Sequence, residues 1–308
     1  TALITPFRED GALDWSALDA QIDFQLESPV TAIVPGGSIG EFTAMSLDER
    51  RNMIARCVSR IDGKLLVVAG TADENPATAL ELTRDAAKLG VDAVMVKLPH
   101  YFGLMPDEAF WFFQALDDVG CPFVVYNNPS TTRHDLSGDT LERVSTLEHF
   151  VALKEAAVST THFYERLHRF GGRFPVIAGA EDCVFFALLA GAPACMTATA
   201  AFSPSFMRAM YEAVQRSDLG RARELHCRLW EFRRLLRRRA GTGHPAYVTY
   251  TKAAMEILGL PAGPPRPPLL PLDEPERQVL RRVLVDTMGL GERGSFSDHL
   301  LPRERRID

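Results

Sequence analysis

The stretch LLVVAGTADENPATALELTRDAAKLGVDAVMVK, residues 65–97, decides the fold. It begins and ends with short apolar runs, LLVVA at 65–69 and DAVMVK at 92–97, and a helical pattern that closes at Gly90 lies between them. Glycine favours a helix end because it adopts left-handed backbone angles without steric cost. A strand, a helix and a second strand in succession predict a parallel pair that is buried on both faces.

The same unit recurs along the chain. Ser46 with Glu49 three residues later has the pattern of a capping box, and Pro106 favours a helix start. A further helical segment at 181–190 ends at Gly191. The apolar runs that we interpret as eight strands are ALIT (2–5), TAIVP (31–35), LLVVA (65–69), DAVMVK (92–97), PFVVY (122–126), FVAL (150–153), FPVIA (174–178) and ACMTA (194–198).

Eight such units within about 220 residues predict a closed (β/α)8 barrel of the TIM type. An open doubly wound sheet is the alternative, but the G-x-G-x-x-G fingerprint is absent after the first strand. We expect the barrel to span 1–216 and a C-terminal helical region with its tail to span 217–308. The helices predicted after residue 203 cover roughly 204–216, 218–239, 246–258 and 274–288.

Two segments of the C-terminal region lack a helical pattern. The proline-rich PAGPPRPPLLPLDEP, residues 261–275, resembles a polyproline ligand, but a packed rigid loop between helices is the preferred interpretation. The tail after Gly289 is polar, and we expect it to be loose or wrapped on a neighbouring subunit.

Composition excludes several classes of function. The chain of 308 residues has a net charge of −6, which argues against a nucleic-acid surface, so we interpret the basic helical run at 231–240 as a solvated face or a subunit contact. No apolar run reaches the length of a membrane span, and the strand-like start TALITPF indicates no signal peptide. Five scattered cysteines without a C-x-x-C pair favour a reducing cytoplasm over a disulfide framework or a zinc site.

Lys154 directly follows the apolar run FVAL. Active groups of such barrels lie at the carboxyl ends of the strands, and burial there lowers the pKa of a lysine. A lysine with a lowered pKa supplies free amine, which attacks a ketone and forms a Schiff base. The residues alone leave two interpretations open: a reactive amine, or an ordinary strand-end lysine that is solvated or ion-paired.

Other strand ends supply groups that fit such chemistry. Tyr126 could move protons as a phenol or could be an amphipathic rim residue. The turn GGSIG at 36–40 could bind a carboxylate through backbone N–H groups, or its glycines could serve the turn geometry alone. The histidines, among them His162 and His168, show no metal-binding spacing, so no metal ion is expected.

These residues together resemble the dihydrodipicolinate synthase / N-acetylneuraminate lyase family, over nearly the whole chain. GGSIGEFTAMSLDER looks like the family's G-x-x-G-E loop with the helix start that follows it, and VVYNNPS is similar to its Y-N-x-P strand end. VVAGT, LPHYF, LKEA and IAGAED resemble four further motifs of the family, in the same order.

The resemblance implies roles for individual residues. Lys154 matches the Schiff-base lysine, Tyr126 the proton-relaying tyrosine, Ser38 a relay hydroxyl, and Tyr101 a tyrosine that completes the relay across a dimer interface. The family forms tetramers that are dimers of dimers, and no cofactor beyond the lysine is expected. The residues expected to contact substrate are Gly37 and Ile39 through their turn, and Thr131, Gly179 and Met196.

Two departures from the family pattern bear on the substrate. Thr131 occupies the position where the synthase carries an arginine for a second carboxylate, with Arg133 two residues further on, and Ile39 replaces a hydroxyl residue. The resemblance, taken with these departures, therefore implies a class I lyase that acts on pyruvate or on a 2-keto-3-deoxy sugar acid, by aldol cleavage, condensation or dehydration. The alternatives are the synthase proper, which condenses pyruvate with aspartate semialdehyde, and a non-catalytic barrel that binds a keto acid.

Overall fold

The computed structural model describes residues 1–239 and 246–296. At its centre is a parallel sheet in which each of six strands is hydrogen-bonded to the next strand in the sequence. The strands are β1 (Ala32–Ile33), β2 (Leu66–Gly70), β3 (Ala93–Val96), β4 (Phe123–Asn127), β5 (Phe150–Glu155) and β6 (Val176–Ala178).

The first and last predicted strands flank this sheet, but each is shortened to a single β-bridge. Ala2 forms a single parallel bridge with Val34, and Cys195 forms one with Ala178. The hydroxyl oxygen of Thr1 lies 3.5 Å from the carbonyl oxygen of Ala200, so the two flanking segments meet and eight segments surround one interior. The predicted (β/α)8 barrel is confirmed.

The prediction of eight regular strands is wrong at these two segments, for two different reasons. Pro6 follows the first segment and has no N–H group with which to extend a ladder. After the last segment, the Thr199 N–H donates at 2.6 Å to the side chain of Glu181, and a 3₁₀ turn begins there.

Helices alternate with the strands and cover the outside of the barrel. The predicted signals are confirmed: Ser46 and Glu49 form a capping box, Gly90 ends a helix at φ +84°, and Pro106 begins one. The helices are α1 (Trp15–Leu26), α2 (Leu47–Ile61), α3 (Pro76–Leu89), α4 (Pro106–Asp117), α5 (Pro129–Thr132), α6 (Gly138–Val144), α7 (Thr160–Phe170), α8 (Val184–Leu189), α9 (Pro204–Gln215), α10 (Leu219–Arg239), α11 (Ala246–Ile257) and α12 (Glu274–Arg282).

Side chains of each strand alternate between two apolar cores. On β4, Val124 and Tyr126 face the barrel interior, whereas Phe123 and Val125 pack in the larger core towards the helices. Burying each such aliphatic side chain contributes roughly 1.5–3 kcal/mol. The alternation matters for function because it decides which strand-end residues point into the barrel.

The C-terminal helices and the proline-rich segment pack on the barrel. Ala262 and Leu272 of this segment are buried, so the interpretation of 261–275 as a packed loop is confirmed. Residues 290–296 are not loose, because Leu290 is fully buried and bridges to Phe296. The remainder of the predicted tail, 297–308, lies outside the described residues, and the domain boundary at 216/217 stays a prediction. None of the described helices has the length and apolar character that crossing a bilayer requires.

Candidate active site

Lys154 and Tyr126 are direct neighbours across the β4–β5 pair. Strand alternation puts Lys154 on the same face as Ala152 and Ala156, which belong to the interior core. The lysine is only 5% exposed, and its Nζ lies 4.1 Å from the centroid of the Tyr126 ring. The amine therefore lies inside the mouth of the barrel, against the face of a phenol.

Burial lowers the pKa of Lys154 to about 8, and the nearby Glu181 carboxylate opposes this shift only in part. Removal from water disfavours the charged ammonium form, which is the physical cause of the shift. At pH 7 about a tenth of the lysine is then free amine, compared with about one part in 2,500 for a lysine in water.

Three described lysines are buried, and their partners distinguish them. Lys97 lies 3.2 Å from a carboxylate oxygen of Glu74, and Lys252 lies 2.6 Å from one of Glu41. Lys154 forms no such ion pair with any carboxylate of the residues that the structure describes. A paired ammonium keeps its proton more firmly, so Lys154 is the buried lysine best suited to nucleophilic attack.

Gly179 leaves room for the Lys154 side chain. A Cβ atom at this position would lie 3.0 Å from both Cγ and Cε of Lys154 and 2.9 Å from the carbonyl oxygen of Glu155. The Gly179 N–H also donates to that carbonyl oxygen at 2.7 Å, which fixes the backbone beside the lysine. The absence of a side chain here is therefore a packing requirement of the site.

The Tyr126 hydroxyl is held by two side chains. Asn128 Nδ2 donates to it at 2.8 Å, and the Ser38 side chain lies close enough to lower its pKa as a hydrogen-bond partner. Burial raises the pKa of Tyr126 well above its ordinary value, helped by Tyr247 of α11, whereas both hydrogen bonds oppose the rise. The phenol is thus protonated at neutral pH, and its oxygen accepts a hydrogen bond from Asn128.

The turn GGSIG packs tightly against the end of β2. Gly36 has φ +71°, and a Cβ atom on Gly70 would lie 2.3 Å from the Gly36 carbonyl oxygen. A 3₁₀ turn, Ser38–Gly40, follows, and its first N–H groups have no helical acceptor. The Ile39 side chain lies in the outer core, so only its backbone could contact a substrate.

The other predicted residues fall in three environments. Met196 is buried in the barrel interior beside the Lys154–Tyr126 pair. Thr131 is half-buried on α5, and Arg133 is exposed with a left-handed backbone just after it. Tyr101 is 82% exposed on the loop before α4, so within one chain it is not part of the buried group.

One cluster of the described residues could geometrically hold a metal ion: Asp135, Glu155 and His162. Its ligand atoms already have partners. Asn127 Nδ2 donates to both carboxylates at 2.8 Å, and Arg166 Nη2 lies 3.4 Å from Asp135. Glu155 points away from Lys154 by strand alternation, and this cluster fixes the outer side of the strand ends.

Sequence reasoning missed three residues of the site. Asn128 and Glu181 each follow a named site residue, Tyr126 and Gly179, by two positions, just beyond the ends of β4 and β6. That spacing could have identified them. Tyr247 arrives from α11, and no local pattern points to it.

The fold and the site together define the class: a (β/α)8 barrel lyase of the aldolase type, with a buried lysine at the end of a central strand. The chain belongs to the Dihydrodipicolinate synthetase family, whose family model matches residues 1–287. The resemblance of the motifs to this family is confirmed.

Individual relatives align with this chain over most of their length. A 4-hydroxy-tetrahydrodipicolinate synthase of Methanoculleus marisnigri is 34% identical over 288 residues, which covers 92% of this chain and 97% of the relative. The crystal structure of dihydrodipicolinate synthase from Aquifex aeolicus is 28% identical, with a TM-score of 0.85 over 92% of this chain and 95% of that one. A prophage protein of this family from E. coli K12, solved with pyruvate, is 26% identical with a TM-score of 0.86 over the same shares.

Proposed function

We propose that this chain is a lyase that forms a Schiff base between Lys154 and the C2 carbonyl of pyruvate or a larger 2-keto acid. The observation that carries the proposal is the buried Lys154, with its pKa lowered to about 8 and no ion-pairing carboxylate among the described residues. Family membership and the pyruvate-bound prophage relative support the same substrate class.

The residues divide the chemistry between them. The free amine attacks C2, and the ketone oxygen takes a proton from Tyr126, which gives a carbinolamine. Loss of water then leaves the iminium, which withdraws electrons from the neighbouring carbon–carbon or carbon–oxygen bond. Tyr126 and Ser38 move the protons, and the backbone at Gly37 and Ile39 receives the substrate carboxylate. No external cofactor is needed for these steps.

The second substrate is proposed only as a class. A keto acid or 2-keto-3-deoxy sugar acid fits a site in which Gly179 contacts the lysine and Met196 lines the same interior, and we propose that Thr131 contacts this substrate. The names of the curated relatives favour a second candidate, condensation of pyruvate with aspartate semialdehyde. Thr131 argues against it, because a threonine hydroxyl cannot form the bidentate ion pair that an arginine forms with a carboxylate.

We further propose a homotetramer in the cytoplasm. Two groups of exposed apolar side chains support subunit contacts: Tyr101, Phe102, Met105 and Trp111 around α4, and Tyr164, Phe186 and Leu189 on α7 and α8. Large exposed apolar surfaces of this kind mark protein interfaces. All five cysteines are free thiols, which suits a reducing compartment.

Borohydride trapping tests the chemistry directly. Reduction in the presence of pyruvate is expected to fix a pyruvyl adduct on the peptide that contains Lys154, and Lys154→Met is expected to give none. Peptide mapping provides the internal control, because the buried Lys97 and Lys252 should remain unmodified. If no adduct forms, or if it forms elsewhere, the proposed function is wrong.

A panel of aldehydes and sugar acids then separates the candidates. Turnover of aspartate semialdehyde with pyruvate would select the synthase, whereas turnover of a 2-keto-3-deoxy sugar acid would select the broader lyase. An adduct without any turnover would indicate the non-catalytic barrel.

A further inference from the structure

We propose that Asn128 is a positioning residue for proton transfer: its amide N–H₂ group directs the Tyr126 proton towards Ser38 and stabilises the phenolate that forms when this proton leaves. This inference rests on the proposed function. It concerns a residue to which the Y-N-x-P resemblance assigns no role, since Asn128 occupies the variable position of that motif.

The geometry of the amide supports a donor role. Asn128 is 9% exposed, Nδ2 lies 2.8 Å from the Tyr126 hydroxyl, and Oδ1 accepts a hydrogen bond from Ser130 Oγ at 2.7 Å. Because Ser130 occupies the acceptor side, the donor side faces the phenol. The backbone of Asn128 is fixed as well, since its carbonyl oxygen accepts the N–H groups of Thr131 and Thr132 at 3.0 and 2.9 Å.

A donated hydrogen bond has a defined consequence for a phenol. The Tyr126 oxygen accepts from Asn128, so its own proton points away from the amide, and Ser38 is the other side chain close enough to act on the phenol as a hydrogen-bond partner. When the proton passes to the ketone oxygen or to the departing hydroxyl, the phenolate keeps the Asn128 bond. Hydrogen bonds to charged groups are about twice as strong as neutral ones, so this bond strengthens as charge develops.

The same geometry explains how a buried phenol can act at all. Tyr126 has a raised pKa because its site is dry, which opposes loss of its proton. A preorganised donor that strengthens with developing charge lowers the barrier without holding the ground state more tightly. Asn128 thereby acts through Tyr126 and not on the substrate.

The test measures exchange of the pyruvate methyl protons in D₂O by ¹H NMR, because formation of the enamine from the Schiff base exchanges them without any second substrate. Asn128→Leu, which keeps the approximate size, is expected to slow exchange about tenfold to a hundredfold, the loss expected for one hydrogen bond to a charged group. It should also raise the solvent deuterium isotope effect on borohydride trapping, since proton transfer then limits the rate.

The Asn128→Asp variant tests whether residue 128 must donate the hydrogen bond to the Tyr126 hydroxyl. A carboxylate can only accept, so it would draw the Tyr126 proton away from Ser38, and exchange should be at least as slow as in Asn128→Leu. Exchange close to the native rate in Asn128→Asp would overturn the proposal, as would an unchanged isotope effect in Asn128→Leu.

Two controls separate this outcome from other failures. Asn52→Leu, at an exposed position on α2, should leave exchange unchanged. The final yield of trapped Lys154 adduct should be complete in Asn128→Leu given enough time, which shows that the site has folded. If the native protein itself forms no adduct, the proposed function fails, whereas a native adduct with unchanged variants removes only the role of Asn128.

Discussion

At the scale of single residues, the pKa of Lys154 predicts how trapping depends on pH. Only the free amine attacks, so the rate of adduct formation should rise with pH and level off above about 8, where the amine is mostly neutral. A lysine in water would continue to gain rate up to about pH 10.4. The measurement is the initial trapping rate at pyruvate concentrations well below saturation from pH 6 to 10, because this rate follows the pKa of the free protein. A rate still rising tenfold per pH unit at pH 9.5 would contradict the burial argument.

Gly179→Ala is predicted to displace the Lys154 side chain by steric crowding. The new methyl group would lie 3.0 Å from two carbons of Lys154 and would displace the amine from its place over Tyr126. Misplacing a reacting group by about 1 Å costs on the order of 100-fold in rate, and overpacking costs about 1–3 kcal/mol of stability.

Trapping rate and urea unfolding measure these two effects of Gly179→Ala. The matched control is Gly172→Ala, since a Cβ atom there meets nothing within 4 Å. Equal trapping rates in both alanine variants would show that Lys154 accommodates the methyl group.

At the scale of helices and strands, the sequence predicted the features that depend on residues close together in the chain. Buried parallel strands appear as continuous apolar runs, and the capping box at Ser46 and the helix end at Gly90 depend on residues within one turn. The length of the first and last strands was mispredicted because it depends on Pro6 and on the contact of Thr199 with Glu181, which lies 18 positions away.

The features of the candidate site likewise fall into those that the sequence predicts and those that only the packing of the folded chain reveals. Lys154 and Tyr126 could be located from strand ends and from resemblance, because barrel topology brings strand ends together. Among the described residues, Lys97 and Lys252 have an ion pair and Lys154 has none, and this difference follows from contacts between distant segments. The sequence therefore indicated a lysine of interest, but only the packing separates it from the other two.

The loop before α4 provides a prediction at this scale. Glu74 accepts the N–H groups of His100 and Tyr101 at 2.8 and 3.1 Å and pairs with Lys97, so it holds the segment that presents Tyr101. Glu74→Gln leaves the buried Lys97 without its countercharge. We expect a loss of about 1–3 kcal/mol in stability, reduced by the partial exposure of Glu74. Because the family resemblance implies that Tyr101 completes the proton relay across a dimer interface, we also expect roughly tenfold slower pyruvate exchange.

Urea unfolding and proton exchange test the Glu74→Gln prediction together. Glu108→Gln is the control, because Glu108 is exposed, accepts the Met105 N–H at 2.7 Å, and lies in the same region. It should cost less than about 1 kcal/mol, as is usual for a helix cap, and leave exchange unchanged. Loss of stability without slower exchange in Glu74→Gln would remove the link to Tyr101.

At the scale of the whole molecule, the C-terminal helices complete the barrel mouth. Arg233 of α10 contacts Glu181 at 3.1 Å, and this carboxylate is the one that opposes the pKa shift of Lys154. Lys252 of α11 binds Glu41 at the end of the glycine-rich turn, and the Arg266 N–H donates to the same carboxylate at 2.9 Å. The groups that set the charge and shape of the site therefore come from both ends of the chain.

The Lys252–Glu41 pair gives the sharpest prediction at this scale, because each partner is only 2% exposed. Lys252→Met leaves a buried carboxylate without its countercharge, which should cost about 3–5 kcal/mol of unfolding free energy. The double variant Lys252→Met/Glu41→Gln removes both charges and should recover most of that loss.

Lys88→Met is the control: Lys88 is 77% exposed and 3.6 Å from Asp85, so it should change stability by less than about 1 kcal/mol. The measurement is the free energy of urea unfolding of the native protein and the three variants. If Lys252→Met loses no more stability than Lys88→Met, the Lys252–Glu41 ion pair does not hold the C-terminal helices to the glycine-rich turn.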